Sequence, residues 1–426
     1  MSRVIYGLII AVSLACGAHG TAQARDLYAR VDSSYRCVAY NEAGLHVFRS
    51  SKKVFSPVLK TLNNIITKNR GRINIWHVGG SHVQAGMFSH RVRRNFANNV
   101  NGGVASRALL FPFKLAGTNG PSDYKTSSTG SWSKAKCLEQ SPSYSLGMSG
   151  FAAVTSSPGA SITFSLSTSD GIDWSTSLVT VLGRSNGGAV PYIVIGQRGT
   201  DGEEGTETTV EASQGDDSNG FYFELPYPVT EFTVKFHGLG GGTRFEFRGA
   251  VAMNGLAGVS YFASGVNGAA TSSWLRCSLL EQDLKAARPD VVVFGIGIND
   301  AHTPNFNRAR FKSKYQELVD RIKSVNPDCF FIFVTNNDCY LRGNVNPNTR
   351  NVEKVFIELA LDNDGAVWDQ YRVMGGYGGS KKWVAAGLMQ SDHIHLTRAG
   401  YQLVGDLLYN AIIGEYYKWC EQVRQH

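Results

Sequence analysis

A serine beside two glycines is the first candidate for chemistry in this sequence. Residues 73–78 predict a strand, and Gly79-Gly80-Ser81 follows at once, so Ser81 stands in a sharp turn before a helix. Such a turn exposes a hydroxyl at the carboxyl edge of a sheet, where helix amides can stabilise an oxyanion. Ser81 is therefore a candidate nucleophile, and the alternative is that it only caps the helix.

A candidate base lies near the other end of the chain. In Asp392-His393-Ile394-His395, a turn can bring the Asp392 carboxylate to Nδ1 of His395 while Nε2 faces a serine. His393 is interpreted as a surface histidine. A metal site is disfavoured because no HExxH pattern or other ligand cluster accompanies these residues, and the sequence predicts no cofactor.

Two glycine-containing segments offer oxyanion donors. Asn299 follows the predicted strand at residues 291–294, and its amide could donate to an oxyanion or simply form an Asx-turn. Gly265, in Gly265-Val266-Asn267-Gly268-Ala269, could present its N–H to a ligand at close range, or could belong to an ordinary loop.

The elements around these motifs alternate between helix and strand. Helical spacing or capping predicts helices at residues 55–68, 81–96 and 308–325, and a final helix capped by Thr397. Further apolar runs predict strands at residues 291–294 and 330–334. This alternation indicates an α/β domain with a mostly parallel sheet, made of residues 25–103 and 253–426.

Residues 104–252, between these two parts, have a different texture. Short runs rich in β-branched and aromatic residues alternate with Gly, Asn, Asp and Ser clusters. The predicted strands are residues 162–166, 178–182, 192–195, 206–210, 221–225, 232–236 and 244–247. The pattern predicts an inserted all-β sandwich or jelly roll.

The first 24 residues are typical of an export signal. Arg3 precedes an apolar run, and Ala22-Gln23-Ala24 is a small-residue cleavage pattern. Cys16 makes a poor lipid-attachment site, so a lipid anchor is disfavoured, and no later segment predicts a transmembrane span. Six cysteines follow the signal, and the sequence does not choose among their pairings.

The chain has a formal net charge of +8. The basic residues are scattered, which speaks against nucleic-acid binding. The charge favours either attraction to anionic cell-wall polymers or simple solubility.

Taken in order, Ser81, Gly265, Asn299 and the pair Asp392 and His395 resemble the four blocks of the SGNH hydrolases. The resemblance implies a flavodoxin-like three-layer sandwich, with Ser81 as nucleophile, His395 as base and Asp392 as its orienting carboxylate. It also implies an oxyanion hole made of the Ser81 and Gly265 amides and the Asn299 side chain. Position 80 is Gly, whereas the family usually has Gly-Asp-Ser.

A narrower resemblance is to bacterial peptidoglycan O-acetylesterases, which also carry a β-rich, carbohydrate-module-like insert. The matching segments are residues 258–261, 265–269 and 368–376, with Trp383, Gly387-Leu388 and Gly400-Tyr401. The resemblance implies an exported bacterial serine esterase, periplasmic or envelope-associated, that deacetylates a polysaccharide, with peptidoglycan foremost. The alternatives are a polysaccharide O-acetyltransferase and, because of Gly80, a catalytically inactive carbohydrate-binding protein.

Overall fold

The computed structural model describes residues 26–196, 206–213 and 220–425. The predicted export signal, residues 1–24, lies outside the described residues. Within the described ranges, none of the helices has both the length and the apolar character needed to cross a bilayer.

The described chain contains two kinds of regular element in addition to a short 3-10 helix, Tyr40–Glu42. The strands are β1 Leu45–Val47, β2 Arg72–Gly79, β3 Ala108–Leu110, β4 Tyr124–Thr129, β5 Ser133–Lys136, β6 Phe151–Thr155, β7 Ser161–Leu166, β8 Thr176–Asn186, β9 Val190–Gly196, β10 Glu207–Glu211, β11 Phe221–Val229, β12 Glu231–His237, β13 Arg244–Met253, β14 Gly258–Gly265, β15 Val291–Gly295, β16 Phe330–Val334, β17 Tyr340–Leu341, β18 Asn344–Val345 and β19 Ala366–Trp368. The helices are α1 Ser51–Lys68, α2 Ser81–Gln84, α3 Met87–Asn99, α4 Thr271–Trp274, α5 Leu280–Ala287, α6 Ile298–Ala301, α7 Arg308–Lys323, α8 Thr349–Asp362, α9 Gln370–Val373, α10 Gly379–Ala385 and α11 Arg398–Arg424.

One sheet carries the α/β part of the molecule. Its strand order is β1-β19-β16-β15-β2-β14, and all neighbours are parallel except β1, which is antiparallel to β19. Side chains alternate between two cores. Val291 and Val293 of β15 face the core that contains α1, α3 and α11, whereas Val292 and Phe294 face the core that contains α5, α7 and α8. The predicted three-layer α/β fold is confirmed.

The insert is a sandwich of two antiparallel sheets. Their strand orders are β10-β9-β12-β7-β4 and β11-β8-β13-β6-β5, with β3 paired to β13. Aromatic side chains fill the space between the sheets, with ring centroids 6.2 Å apart for Phe164 and Phe247 and 4.7 Å apart for Phe236 and Phe245. The predicted β sandwich is confirmed. Strands β3 to β6 were not predicted: β4 is polar and mostly exposed, and β3, β5 and β6 span only three to five residues.

The insert and the parallel sheet share one continuous core. The core on the α5, α7 and α8 side of the sheet runs directly into the interior of the sandwich. A fully buried ion pair also joins the two parts: Arg248 of β13 donates to Asp283 of α5 at 2.7 Å, and neither side chain is exposed. The sandwich is therefore packed directly against the α/β part.

The prediction of one helix over residues 81–96 is wrong. Helix α2 ends at Gln84, and α3 begins at Met87, because Gly86 adopts a left-handed conformation with φ of 76°. A Cβ atom on Gly86 would lie 2.5 Å from Cβ of Pro121, which belongs to the insert. The chain bends here to let that loop approach.

None of the six cysteines of the described chain forms a disulfide in this structure: Cys37, Cys137, Cys277, Cys329, Cys339 and Cys420.

We expect Arg248→Met to lower the free energy of unfolding by about 3–5 kcal/mol, because it leaves the Asp283 carboxylate buried without its cation. Urea denaturation measures the loss. The double variant Arg248→Met with Asp283→Leu should recover most of it, since both charges are then absent. Arg308→Met, which breaks an exposed ion pair with Glu358, is the control and should cost under about 1 kcal/mol. A single Arg248→Met variant as stable as the wild type would contradict the expectation.

Candidate active site

A tight turn after β2 presents Ser81. A Cβ atom on Gly79 would lie 2.3 Å from Cγ2 of Val83 and 3.0 Å from the Gly295 oxygen, so the turn requires glycine at this position. The amides of Val83 and Gln84 donate to the Gly80 oxygen at 3.2 and 3.0 Å, which starts α2. Ser81 is therefore the first residue of a helix at the carboxyl edge of the sheet.

The segment between Met389 and the final helix brings an imidazole to this serine. Nε2 of His395 lies 2.9 Å from Oγ of Ser81, and Nδ1 of His395 lies 2.7 Å from Oδ2 of Asp392. Because a carboxylate can only accept, Nδ1 carries the proton and Nε2 is left to accept from the serine hydroxyl. The structure thus joins the three residues predicted from sequence in one hydrogen-bonded chain.

The Asp392 carboxylate is held in its charged form. Partial burial alone would raise its pKa, but hydrogen bonds from the His395 ring and from the Ile394 and His395 amides outweigh this. The pKa of Asp392 therefore lies below its ordinary value. The carboxylate fixes the ring and the turn at the same time, since its Oδ1 accepts from both amides.

Contacts with the loop after β16 stabilise the turn that contains Asp392 and His395. His393 has a left-handed φ of 53°, and its ring stacks on Tyr340 with the centroids 3.9 Å apart. The Tyr340 amide donates to the His393 oxygen at 3.1 Å, and Asn337 Nδ2 donates to the Ile394 oxygen at 3.1 Å. His393 thus faces the loop after β16, away from Ser81.

Asn299 contributes an amide to the same cavity. One N–H of Nδ2 donates to the Ala269 oxygen at 2.9 Å, which leaves the second N–H available to a ligand. A Cβ atom on Gly80 would lie 3.3 Å from this Nδ2. The glycine at position 80 therefore leaves room beside the Asn299 amide that a larger side chain would take.

The structure does not bring Gly265 into the cavity. Gly265 is the last residue of β14, and a Cβ atom there would lie 2.1 Å from the Gln84 nitrogen, so it serves the close packing of the strand against α2. Gly268, three residues later, lines the cavity with Ser81 and Asn299. The amide predicted for Gly265 is therefore better sought at Gly268.

The cavity around Ser81 has a volume of about 420 Å³ and is open to solvent. Its lining includes polar residues that the sequence motifs did not contain: Asn119, His302 and Gln390. Asn119 belongs to the insert. Its position carries no sequence signal, because only the tertiary packing of the insert places it beside Ser81.

A half-buried histidine packs behind the His395 ring. His82 packs against His395 with ring centroids 5.4 Å apart, and its Nδ1 lies 2.9 Å from the Tyr401 hydroxyl. Burial and then the neighbouring His395 lower the pKa of His82 to about 3. His77, in β2 beneath the site, has its pKa lowered to about 3 by burial and by Arg93. Both rings are neutral at physiological pH.

Comparison with known protein families identifies the domain. Residues 237–403 match the model of the GDSL-like lipase/acylhydrolase family. This chain carries a GDSL-like acylhydrolase domain. The match contains Asn299, Asp392 and His395, whereas Ser81 lies before it, on the far side of the insert. The family and the fold make the protein a carboxylic ester hydrolase.

Solved structures share the fold. A peptidoglycan O-acetylesterase superposes with a TM-score of 0.70, at 17% sequence identity, over 88% of this chain and 98% of its own. A lipase/acylhydrolase from Enterococcus faecalis matches 37% of this chain and 77% of its own, at 25% identity and a TM-score of 0.30. An acetyl-xylooligosaccharide esterase from Geobacillus matches 37% and 73%, at 17% identity and a TM-score of 0.29. No curated protein matches the sequence.

The lowered pKa values of His77 and His82 predict a stability that falls in acid. Their folded pKa of about 3 lies below the unfolded value of about 6.5, so only the unfolded state takes up these protons as the pH falls below 6.5. Each histidine should remove about 2 kcal/mol of unfolding free energy between pH 7.5 and pH 5. Urea denaturation at both pH values measures the change. In His82→Gln the difference in unfolding free energy between the two pH values should be smaller by the contribution of one histidine. An unchanged difference would contradict the lowered pKa of His82.

Proposed function

We propose that this ester hydrolase removes O-acetyl groups from a cell-wall polysaccharide, most specifically peptidoglycan, with Ser81, His395 and Asp392 as its catalytic triad. The observation that carries the proposal is the hydrogen-bonded chain from Ser81 Oγ through His395 to Asp392, at 2.9 and 2.7 Å, in an open cavity.

In the proposed reaction, Nε2 of His395 takes the Ser81 proton while Oγ attacks the acetyl carbonyl carbon. The negative charge of Asp392 stabilises the imidazolium that forms. His395 then returns the proton to the sugar oxygen as the carbon–oxygen bond breaks. A water molecule, deprotonated by the same ring, attacks the acetyl-enzyme, and acetate leaves as Ser81 regains its proton.

Three donors suit the oxyanion of the tetrahedral intermediate. The Ser81 amide is at the first position of α2 and has no acceptor within the helix. The Gly268 amide and the free N–H of Asn299 Nδ2 belong to residues that line the same cavity. We assign the oxyanion hole to these three groups, with Gly268 in place of Gly265.

The exposure of the site and the side-chain amides in its lining support a glycan over a long acyl chain. The side chains of Asp392 and His395 are 42% and 36% exposed, so a polymer can reach them without a lid opening. The amides of Asn119, Asn267 and Gln390 can hydrogen-bond sugar hydroxyls. The similar fold of a peptidoglycan O-acetylesterase, insert included, supports peptidoglycan as the polymer.

Export is part of the proposal. It is supported by the signal-like pattern of residues 1–24 and by the net charge of +8, which favours contact with anionic wall polymers. The site of action would then be the periplasm or cell envelope.

Ser81→Ala should abolish acetate release from O-acetylated peptidoglycan, because no other group can form the acetyl-enzyme. Circular dichroism should show an unchanged fold. Acetate is measured with and without an added sugar acceptor, which separates hydrolysis from transfer. Acetate release by the variant at the wild-type rate would reject the nucleophile, and acetylated acceptor in place of acetate would reject hydrolysis.

Asn299→Ala should lower kcat by about 10²–10³-fold with little change in KM, because the lost N–H acts mainly on the transition-state oxyanion. Steady-state kinetics on a small acetyl ester measure both constants. The control is Asn41→Ala, an exposed asparagine remote from the cavity, which should behave as wild type. A rise in KM at constant kcat would assign Asn299 to substrate binding instead.

A further inference from the structure

A second cavity adjoins the one that contains Ser81. It has a volume of about 270 Å³ and lies between α3, the start of α11 and two loops of the insert. Met87 lines both cavities, so they meet at this side chain. We call the second one the arginine cavity, after Arg91, Arg94 and Arg398, which line it.

The acidic residues of the arginine cavity already have basic partners. Asp123 is paired with Arg107 and lies 3.2 Å from Nη1 of Arg93, and Asp170 lies 3.3 Å from Nε2 of His90. Burial alone would raise the pKa of Asp123, but its contacts with Arg107 and His90 outweigh it and hold this pKa far below its ordinary value. The arginines in these contacts, Arg93 and Arg107, do not line the cavity.

The three arginines that line the cavity differ in their partners. Arg91 donates two hydrogen bonds to Asp406, at 2.6 and 2.9 Å. Nε of Arg94 is buried 3.6 Å from Asp170 and has no hydrogen-bond partner within the described chain. Arg398 is exposed, and its guanidinium meets no acceptor among the described residues. Arg398 is therefore free to pair with an incoming anion.

One loop of the insert reaches both cavities. Asn119 lines the Ser81 cavity, and Ser122 lines the arginine cavity. Gln84 fixes the loop by donating to the Asn119 oxygen at 2.7 Å, and Pro121 packs on Gly86. A ligand that follows this loop passes from one cavity to the other.

Building on the proposed function, we propose that the arginine cavity binds a carboxylate of the same glycan whose acetyl ester lies at Ser81. The planar guanidinium of Arg398 matches a carboxylate with two parallel hydrogen bonds. The hydroxyls of Ser122, Ser167 and Ser169, which also line the cavity, offer further donors. The substrate class is thus an acetylated glycan with a carboxylate near the ester, and neutral acetylated polysaccharides are poorer substrates.

A binding comparison tests this subsite without depending on catalysis. Titration calorimetry measures the affinity of the wild-type protein for non-acetylated glycan fragments that carry a free carboxylate, and for the same fragments after reduction to the alcohol. We expect the reduced fragments to bind about tenfold more weakly, the effect of one charge-assisted contact. Fragments with the carboxylate on the sugar and fragments with it on an attached peptide form separate arms, which identify its source.

Variants assign the effect to the arginine cavity. Arg398→Gln should remove most of the preference for the carboxylate, and Arg398→Lys should keep part of it. The matched control is Arg70→Gln, which removes an exposed arginine just before β2, at the opposite edge of the sheet, and should keep the full preference.

Equal binding of the carboxylate and alcohol fragments by the wild type, or an unchanged preference in Arg398→Gln, overturns the subsite. The proposed function fails separately. A protein that prefers the carboxylate yet releases no acetate would contradict the esterase assignment alone, whereas acetate release without the preference would contradict the subsite alone.

Discussion

The structure depends on one demanding contact: the Ser81 hydroxyl must lie within hydrogen-bond distance of an imidazole 314 residues away. The parallel sheet meets this demand, because the carboxyl ends of its strands converge at one edge. Ser81 follows β2, Asn299 follows β15, and the Asp392 turn is held by the loop after β16. Cross-links between the loops fix the edge further. Asn299 donates to the Ala269 oxygen, and Asp300 accepts from Thr271.

The insert takes part in this arrangement although it interrupts the sequence between Ser81 and the other site residues. Its core is continuous with one face of the parallel sheet, and the buried Arg248–Asp283 pair ties β13 to α5. Its loop at residues 119–122 breaks the helix after Ser81 at Gly86 and forms one wall of the cavity. The sandwich therefore shapes the surface that a substrate meets.

The sequence predicts best what local chemistry dictates. Apolar periodicity and turn residues were enough for β2, β15 and β16 of the parallel sheet, for most strands of the sandwich and for the final helix capped by Thr397. The order of the motifs was enough to choose Ser81, Asn299 and His395, which line one cavity, and Asp392, which is hydrogen-bonded to His395.

Features that depend on tertiary packing could not be predicted from the sequence. Strand β14 ends at Gly265, so Gly265 packs within the sheet, whereas Gly268, beyond the end of the strand, lines the cavity. The break at Gly86 depends on Pro121, and the place of Asn119 depends on how the insert docks. The polar strand β4 has no apolar alternation and is held in its sheet by pairing with β7.

The shared core has a consequence for how a polymer is handled. The insert and the α/β part are joined by continuous packing and a buried charge pair, so a hinge motion between them would expose apolar core and break the Arg248–Asp283 pair. A glycan strand would then be selected by whether its own shape fits a fixed template.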